Sequence, residues 1–272
     1  MKLCLFLLFA SILASCGENT KKANLSLFVK DEATAVVPPQ ITYINPDGMT
    51  VQTRYNVPEN YTRMTYSSQD FGYHLQQLPL KAYGEKVKYY NGKEKNTPQV
   101  YSSVVDLPIG TKDLHQCADA AMRLRADFLY QQKQYSAISF HFNDGKPRAY
   151  TDYVKGDYSA QKYWNYLEHI FMYANTSSLK QQLQSVPKNE VQIGDILLQS
   201  GRPYGHAVIV IDMAENEAGD RLVLLAQSYM PAQELQVLEN PSSPDGNPWY
   251  RIDRDHIITP EWKFTSADWK TW

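Results

Sequence analysis

Cys117, within "LHQCADAAMRLRADFLY" (residues 114–130), and His206, which opens "HAVIVID", are the residues best suited to act as a nucleophile and its base. A thiol attacks a carbonyl carbon only when a base within hydrogen-bond reach takes its proton, and that base works best when a third polar group holds it. Gln227 or Ser228, closing the run "RLVLLAQS", can supply the third group. Pairing this run with the one after His206, about a midpoint near residue 217, brings one of the two opposite His206. A single residue of register decides which. Gln227 in that place would fix the imidazole tautomer. Gln116, just before the cysteine, can help to bind an oxyanion together with a first-turn backbone N–H, or simply cap the helix. Tyr229 and Gln233, in "QSYMPAQ", can contact substrate or merely pack.

The other five histidines have plainer readings. His115 lies two residues from Cys117 on the same helix, so its ring points elsewhere. His74 and His169 sit in helical runs and His256 in the tail, each as a surface or packing residue. His141 alternates with apolar neighbours in a strand and is a weaker candidate base. The chain shows no metal-ligand spacing and no phosphate-cradling glycine loop, so neither a metal nor another cofactor is expected.

Positioning these groups requires a helix and a sheet. Residues 111–133 read as the clearest helix, with Asp113 and Gln116 approximating a capping box. Ala121, Leu124 and Phe128 share the face of Cys117, while Asp119, Arg123 and Asp127 form alternating charges on another. Cys117 then sits in the first turn, where the helix dipole favours a thiolate and predicts a thiol pKa below its ordinary ~8.5. A helix is expected over 67–78, a hairpin at Asn91-Gly92, a strand over 99–107, a hairpin over 137–154 and one long aromatic helix over 159–179. The runs 194–199, 206–213, 221–229 and 233–238 predict an antiparallel sheet. From Pro260 the chain reads as an irregular tail that packs through tryptophan. The fold class expected is α+β, with the cysteine helix packed on an antiparallel sheet, in one globular domain over 41–272 whose core is about 111–252.

The first residues set the compartment. Met1–Ser15 reads as a secretory signal, with one basic residue followed by an apolar run. It ends in Leu13-Ala14-Ser15-Cys16, which resembles the bacterial lipobox. Cys16 is the expected lipidation site, at ~0.8 kcal/mol per buried CH₂ of its acyl chains. Residues 16–40 are polar and aperiodic, a tether from the membrane. Of three cysteines, Cys4 leaves with the signal and Cys16 takes the lipid, so Cys117 has no partner in the chain. A leftover cysteine in an oxidising compartment points to a reactive thiol or an intermolecular bond, against the alternative of a small buried apolar residue. A net charge of −2 argues against nucleic-acid binding. Twenty tyrosines and five tryptophans favour a sheet-rich domain with aromatic surfaces.

The order of parts is a cysteine opening a helix, "GDIL" leading into a strand, a histidine opening the next strand and a polar residue on its partner. This is similar to the NlpC/P60 and CHAP groups of papain-like cysteine peptidases. The resemblance implies a papain-like core in which Cys117 is nucleophile, His206 base and Gln227 orienter, acting on amide bonds of cell-wall peptides. Cys117 is followed by Ala-Asp-Ala where NlpC/P60 enzymes usually have Ser-Gly, and Gln stands where His or Asn is usual. A closer resemblance, over about residues 60–255, is to a family of secreted bacterial proteins known as domain of unknown function 4846. It is carried by "LPLK", "QCADAAMRLRADFLY", "GHAVIVIDMA", "LLAQSYMPAQELQVL" and "PWY".

These readings converge on a lipid-anchored thiol hydrolase of the bacterial cell envelope, facing periplasm or exterior, with wall peptide as the implied substrate. The alternative from another class is a non-catalytic lipoprotein that binds glycan or protein through its aromatic surface. A third is an acyltransferase on the same scaffold. Cys16→Ala should move the protein from the membrane to the soluble fraction on cell fractionation. Retention on membranes after that change would refute the lipobox reading.

Overall fold

The computed structural model describes residues 42–272; the signal segment, Cys16 and the tether lie outside the described residues. The first half carries α1 (Val51–Arg54), β1 (Tyr61–Arg63), α2 (Phe71–Gln76), β2 (Tyr101–Val104) and α3 (Cys117–Gln131). A middle section follows with β3 (Ser139–His141), β4 (Pro147–Ala149), α4 (Tyr150–Val154), α5 (Ala160–Tyr173) and α6 (Thr176–Gln182). The remainder is β5 (Gln184–Ser185), β6 (Ile196–Gln199), β7 (His206–Asn216), β8 (Arg221–Gln227), β9 (Gln236–Leu238), β10 (Tyr250–Arg251), β11 (His256–Ile258), β12 (Lys263–Thr265) and β13 (Trp269–Thr271).

The fold is α+β, built on a nine-stranded antiparallel sheet in the order β2-β9-β8-β7-β6-β13-β5, with β1 added to β7 and β10 to β8. Its centre is β7, whose residues from His206 to Ala214 are all buried. A strand with no polar face must be covered on both sides, as the near-continuous run "AVIVI" requires. Helix α3 packs on β7 and β8, with α2 and α5 against its other sides.

That enclosure reaches the face of α3 that carries the alternating charges. Eleven of its fifteen residues are buried, Asp119 and Arg123 among them. Enclosed charges must be paired rather than hydrated. Arg123 accordingly turns to Asp127 at 3.3 Å and donates to the Pro108 carbonyl, with its guanidinium over the Trp164 ring. Alanines at 118, 120, 121 and 126 keep α3 slim enough to be surrounded.

The helix also begins later than Asp113 suggested. Gln116 is the N-cap and Cys117 the first helical residue. The Gln116 N–H donates to Asp119 Oδ2 at 3.0 Å, satisfying one of the orphan donors outside the first turn. Asp113 is drawn away, because its Oδ1 accepts from the Ala232 N–H at 2.7 Å.

Three further expectations change. Residues 150–154, expected as a strand, form α4, and the Tyr150 ring is fully buried. The long helix over 159–179 breaks at Ala174, where Asn175 Oδ1 accepts from the N–H groups of Ser177 and Ser178 at 2.8 and 3.2 Å and caps α6. The supposed irregular tail is structural: β11 and β12 form a hairpin, and β13 joins the main sheet with Trp269 opposite Leu197 and fully buried.

Leu124, with no exposed surface, sits at the middle of α3. Leu124→Asp should lower stability to urea by several kcal/mol, because it strands a charge in the core. Asp119→Ala should cost about 1–2 kcal/mol through the lost cap, unlike an exposed charge. A Leu124→Asp protein as stable as one carrying Glu217→Ala on the surface would mean that α3 is not central.

Candidate active site

The N-terminus of α3 abuts the start of β7. Around the Cys117 sulfur lie the backbone N–H groups of Ala207, Ala118 and Cys117 itself, each of which would favour a thiolate. Ala207 follows His206, so this contact ties the candidate nucleophile to the strand that carries the candidate base. Yet Cys117 is only 7 % exposed, and burial, with the Asp119 carboxyl as a second cause, pushes the thiol up to about 11. The expected lowering by the helix terminus is therefore reversed. Loss of hydration outweighs three partial charges when almost no water reaches the sulfur.

His206 stands at the end of a chain of buried polar groups. Its Nε2 is 2.7 Å from Gln227 Oε1, and Gln227 Nε2 donates to Glu261 Oε2 at 2.6 Å. Lys95 Nζ donates to both Glu261 oxygens at 2.9 Å. The direction of every bond follows from valence. Lysine only donates and an ionised glutamate only accepts, so the Gln227 amide must turn its NH₂ toward Glu261 and its oxygen toward His206. The imidazole must then carry its hydrogen on Nε2, which leaves Nδ1 as the basic nitrogen. Burial, with the Lys95 charge as a further lowering cause and Gln227 opposing, pulls the His206 pKa down to about 4. The resting pair is thus a neutral imidazole and a neutral thiol.

Aromatic rings fix the imidazole in space. Tyr229, Trp262 and Phe264 lie with centroids 4.9, 5.2 and 5.9 Å from it. Burial raises the Tyr229 hydroxyl pKa, and the nearness of Glu261 and of the Cys117 thiol raises it further, which places the three groups in one locality. Trp262 is itself held by Gln199, whose Oε1 accepts from its Nε1 at 2.9 Å and which pairs with His206 across β6 and β7.

The register choice falls on Gln227. A bulge between Val210 and Asp212 shifts the β7–β8 pairing, so that Ile209 meets Ala226 and Gln227 lies diagonally from His206 on its face. Ser228 turns inward and its Oγ sits 2.6 Å from the Gln233 carbonyl and 2.9 Å from that of His115. Gln233 is buried, donating from Nε2 to the Pro231 carbonyl at 3.1 Å, and does not line the cleft described below. His115 is buried against Phe171, its ring nitrogens without partners among the described residues, and burial lowers its pKa to about 3. His141 is in the two-stranded β3–β4 sheet, apart from this cluster. Gly205 is where the backbone doubles back: a Cβ there would lie 2.0 Å from the Gln199 carbonyl oxygen.

A cleft of about 410 Å³ opens over Cys117. Gln116, Asp113 and Asp119 at the start of α3 line it, together with Asn175, Tyr204 and Met230. Gln116 Nε2 spends one hydrogen on Asp113 Oδ1 at 3.2 Å and has a second to offer. Among the described residues no three His, Cys, Asp or Glu side chains are placed to hold a metal ion.

A family model described as domain of unknown function (4846) matches residues 51–271. The chain belongs to that family. No curated protein and no solved structure matches it. The matched span takes in Lys95, Cys117, His206, Gln227 and Glu261 alike. Lys95 and Glu261 escape sequence reasoning because one sits in a charged hairpin and the other in a stretch read as tail. The only signal was three tryptophans in thirteen residues after Thr259, too many for a segment left in solvent.

Each shift has a consequence for pH. The His206 pKa falls on folding, so its contribution to stability is lost as pH drops from about 6.5 toward about 4. The thiol pKa rises on folding, so that contribution is lost as pH climbs from about 9 toward about 11. Iodoacetamide should therefore alkylate Cys117 in the folded protein at pH 6.5 more slowly than it alkylates free cysteine, and the rate should climb steadily toward pH 11. Fast labelling at pH 6.5 would mean that the helix terminus, not burial, governs this thiol.

Proposed function

We propose that this protein is a lipid-anchored thiol hydrolase of the bacterial cell envelope, with a papain-like core, that cleaves an amide bond through an acyl-enzyme. The observation that carries the reading is the Lys95–Glu261–Gln227–His206 chain, because it leaves Nδ1 as the basic nitrogen of a histidine whose neighbour Ala207 has its backbone N–H close enough to the Cys117 sulfur to favour a thiolate. A chain of donors aimed at one tautomer serves a proton acceptor and has no packing purpose that an apolar side chain would not meet more cheaply.

From a neutral pair, the proton passes from Sγ to Nδ1 as the sulfur bonds to the substrate carbonyl carbon. The carbonyl oxygen gains charge, for which the free N–H of Gln116 Nε2 and the first-turn amides are the available donors. The imidazolium then gives its proton to the leaving nitrogen as the C–N bond breaks, which leaves a thioester on Cys117. Water attacks the thioester, Nδ1 takes its proton and returns it to sulfur, and the acid departs. Wall peptide is the substrate that the envelope location and the NlpC/P60 resemblance suggest. Cys16 as lipid anchor would keep the domain beside that material.

A second reading draws on the small exposure of Cys117 and its raised pKa: a non-catalytic lipoprotein, with Tyr153, Tyr158, Tyr173 and Tyr204 exposed to meet glycan or protein. One experiment separates the two. The full chain mixed with p-nitrophenyl acetate should release a burst of nitrophenolate equal to the protein present, and intact-mass and peptide analysis should find one acetyl group on Cys117. His206→Ala should slow the burst by roughly 100-fold or more, and Gln227→Ala by less, since Gln227 acts only through the histidine. If the folded protein is not acetylated, the thiol is a core residue and the binding reading stands.

A further inference from the structure

Asp119 is 94 % buried by its 6 % residual exposure, lines the same cleft as Cys117, and has one oxygen without a partner. Its Oδ2 is spent on the Gln116 N–H at 3.0 Å. Its Oδ1 meets no donor among the described residues. A buried carboxyl oxygen left in this condition is costly, and native proteins rarely leave one without a purpose.

The nearest cation along the helix does not serve it. Arg123, four residues on, is turned to Asp127 and to the Pro108 carbonyl. Nor, among the described residues, does the cleft hold a cation of its own: Asp113 and Asp119 line it, and no lysine, arginine or histidine of that set does. Asp113 is exposed and open to water, with its Oδ1 accepting from the Ala232 N–H and from Gln116 Nε2. The cleft is therefore lined by two carboxyl groups with no cation beside them among the described residues, and Asp119 Oδ1, two residues along the helix from the thiol, is its buried acceptor without a partner; burial holds the Asp119 pKa well above the usual carboxylate range, a cost that a bound cation would offset.

We infer that Asp119 receives a cationic amine of the substrate, so that the cleft takes acyl compounds carrying a free amino group within a residue or two of the bond to be cut. Such a group supplies both things missing at Oδ1, a hydrogen-bond donor and a compensating charge, and forms the stronger charge-assisted bond. The cleft's 410 Å³ lies within the range of small-ligand sites. The exposed Tyr204 and Met172 at its rim offer apolar surface to the rest of a short peptide. An acetylated or otherwise blocked amine would leave Oδ1 uncompensated. The inference rests on the hydrolase reading only for the fate of the bound ligand.

The test uses the full chain carrying Cys117→Ala, which binds but cannot turn over. Trialanine amide with a free amino terminus and its N-acetyl counterpart are titrated separately by calorimetry. The free amine should bind at least tenfold more tightly. Asp119→Asn keeps an oxygen for the Gln116 N–H, so the helix start survives, and it should abolish the preference; circular dichroism checks that this variant folds. Equal affinities for the two peptides, or no measurable binding of either, overturn the inference whatever the variant does. A preference that persists in folded Asp119→Asn also overturns it, because the amine is then read elsewhere. Preference for the amine without acetylation of Cys117 by the nitrophenyl ester leaves the amine site in place and removes the hydrolase reading. Acetylation without preference does the reverse.

Discussion

Glu261 joins parts of the chain that are far apart in sequence. It accepts from Lys95, 166 residues earlier, and from Gln227, 34 residues earlier, and through Gln227 it determines the state of His206. Remove the carboxylate, and Lys95, whose side chain is 2 % exposed, becomes a buried charge with no counterion. Gln227 would then be free to flip its amide, and His206 would have no fixed tautomer. Buried polar chains of this kind are high in stakes, since a satisfied chain specifies one arrangement and a broken one costs more than an apolar core.

The surrounding architecture can be understood as what this chain requires. The β11–β12 hairpin holds Glu261 in its turn, with the Thr259 N–H donating to the Trp262 carbonyl at 2.8 Å. Trp262 and Phe264 from the same hairpin press on the imidazole, and Tyr229 meets it edge-on. Beyond them β13 sews the end of the chain into the sheet beside β6. The rings exclude water, which strengthens each hydrogen bond within and accounts for the low pKa of the histidine.

Where α3 meets β7 the governing constraint is steric. Alanines along α3 allow the helix to lie close to the sheet and bring its first residue against Ala207. The same closeness removes water from the thiol. A thiol placed this deep begins neutral, and the proposed attack must draw its proton out as it proceeds instead of relying on a standing ion pair. Asp119, enclosed by the same packing, lines the cleft and has one oxygen without a partner among the described residues.

The sequence by itself determined the family, the α+β class, the run of four antiparallel strands and the pairing of Cys117 with His206 as candidates, because these follow from local pattern: an apolar run, a turn, a helix signal. It left Gln227 and Ser228 open, since register is a one-residue matter and the bulge after Val210 has no mark in the sequence. Tertiary structure alone decided the sign of the thiol shift. A helix terminus is visible in sequence, whereas the desolvation that overrides it depends on what α2, α5 and the sheet place around α3. It also decided that Asp119 and Arg123 are interior, since helical spacing names a face but not what covers it. Lys95 and Glu261 belong wholly to the folded state: a partnership across 166 residues is set by where two hairpins meet, and no local pattern records that distance.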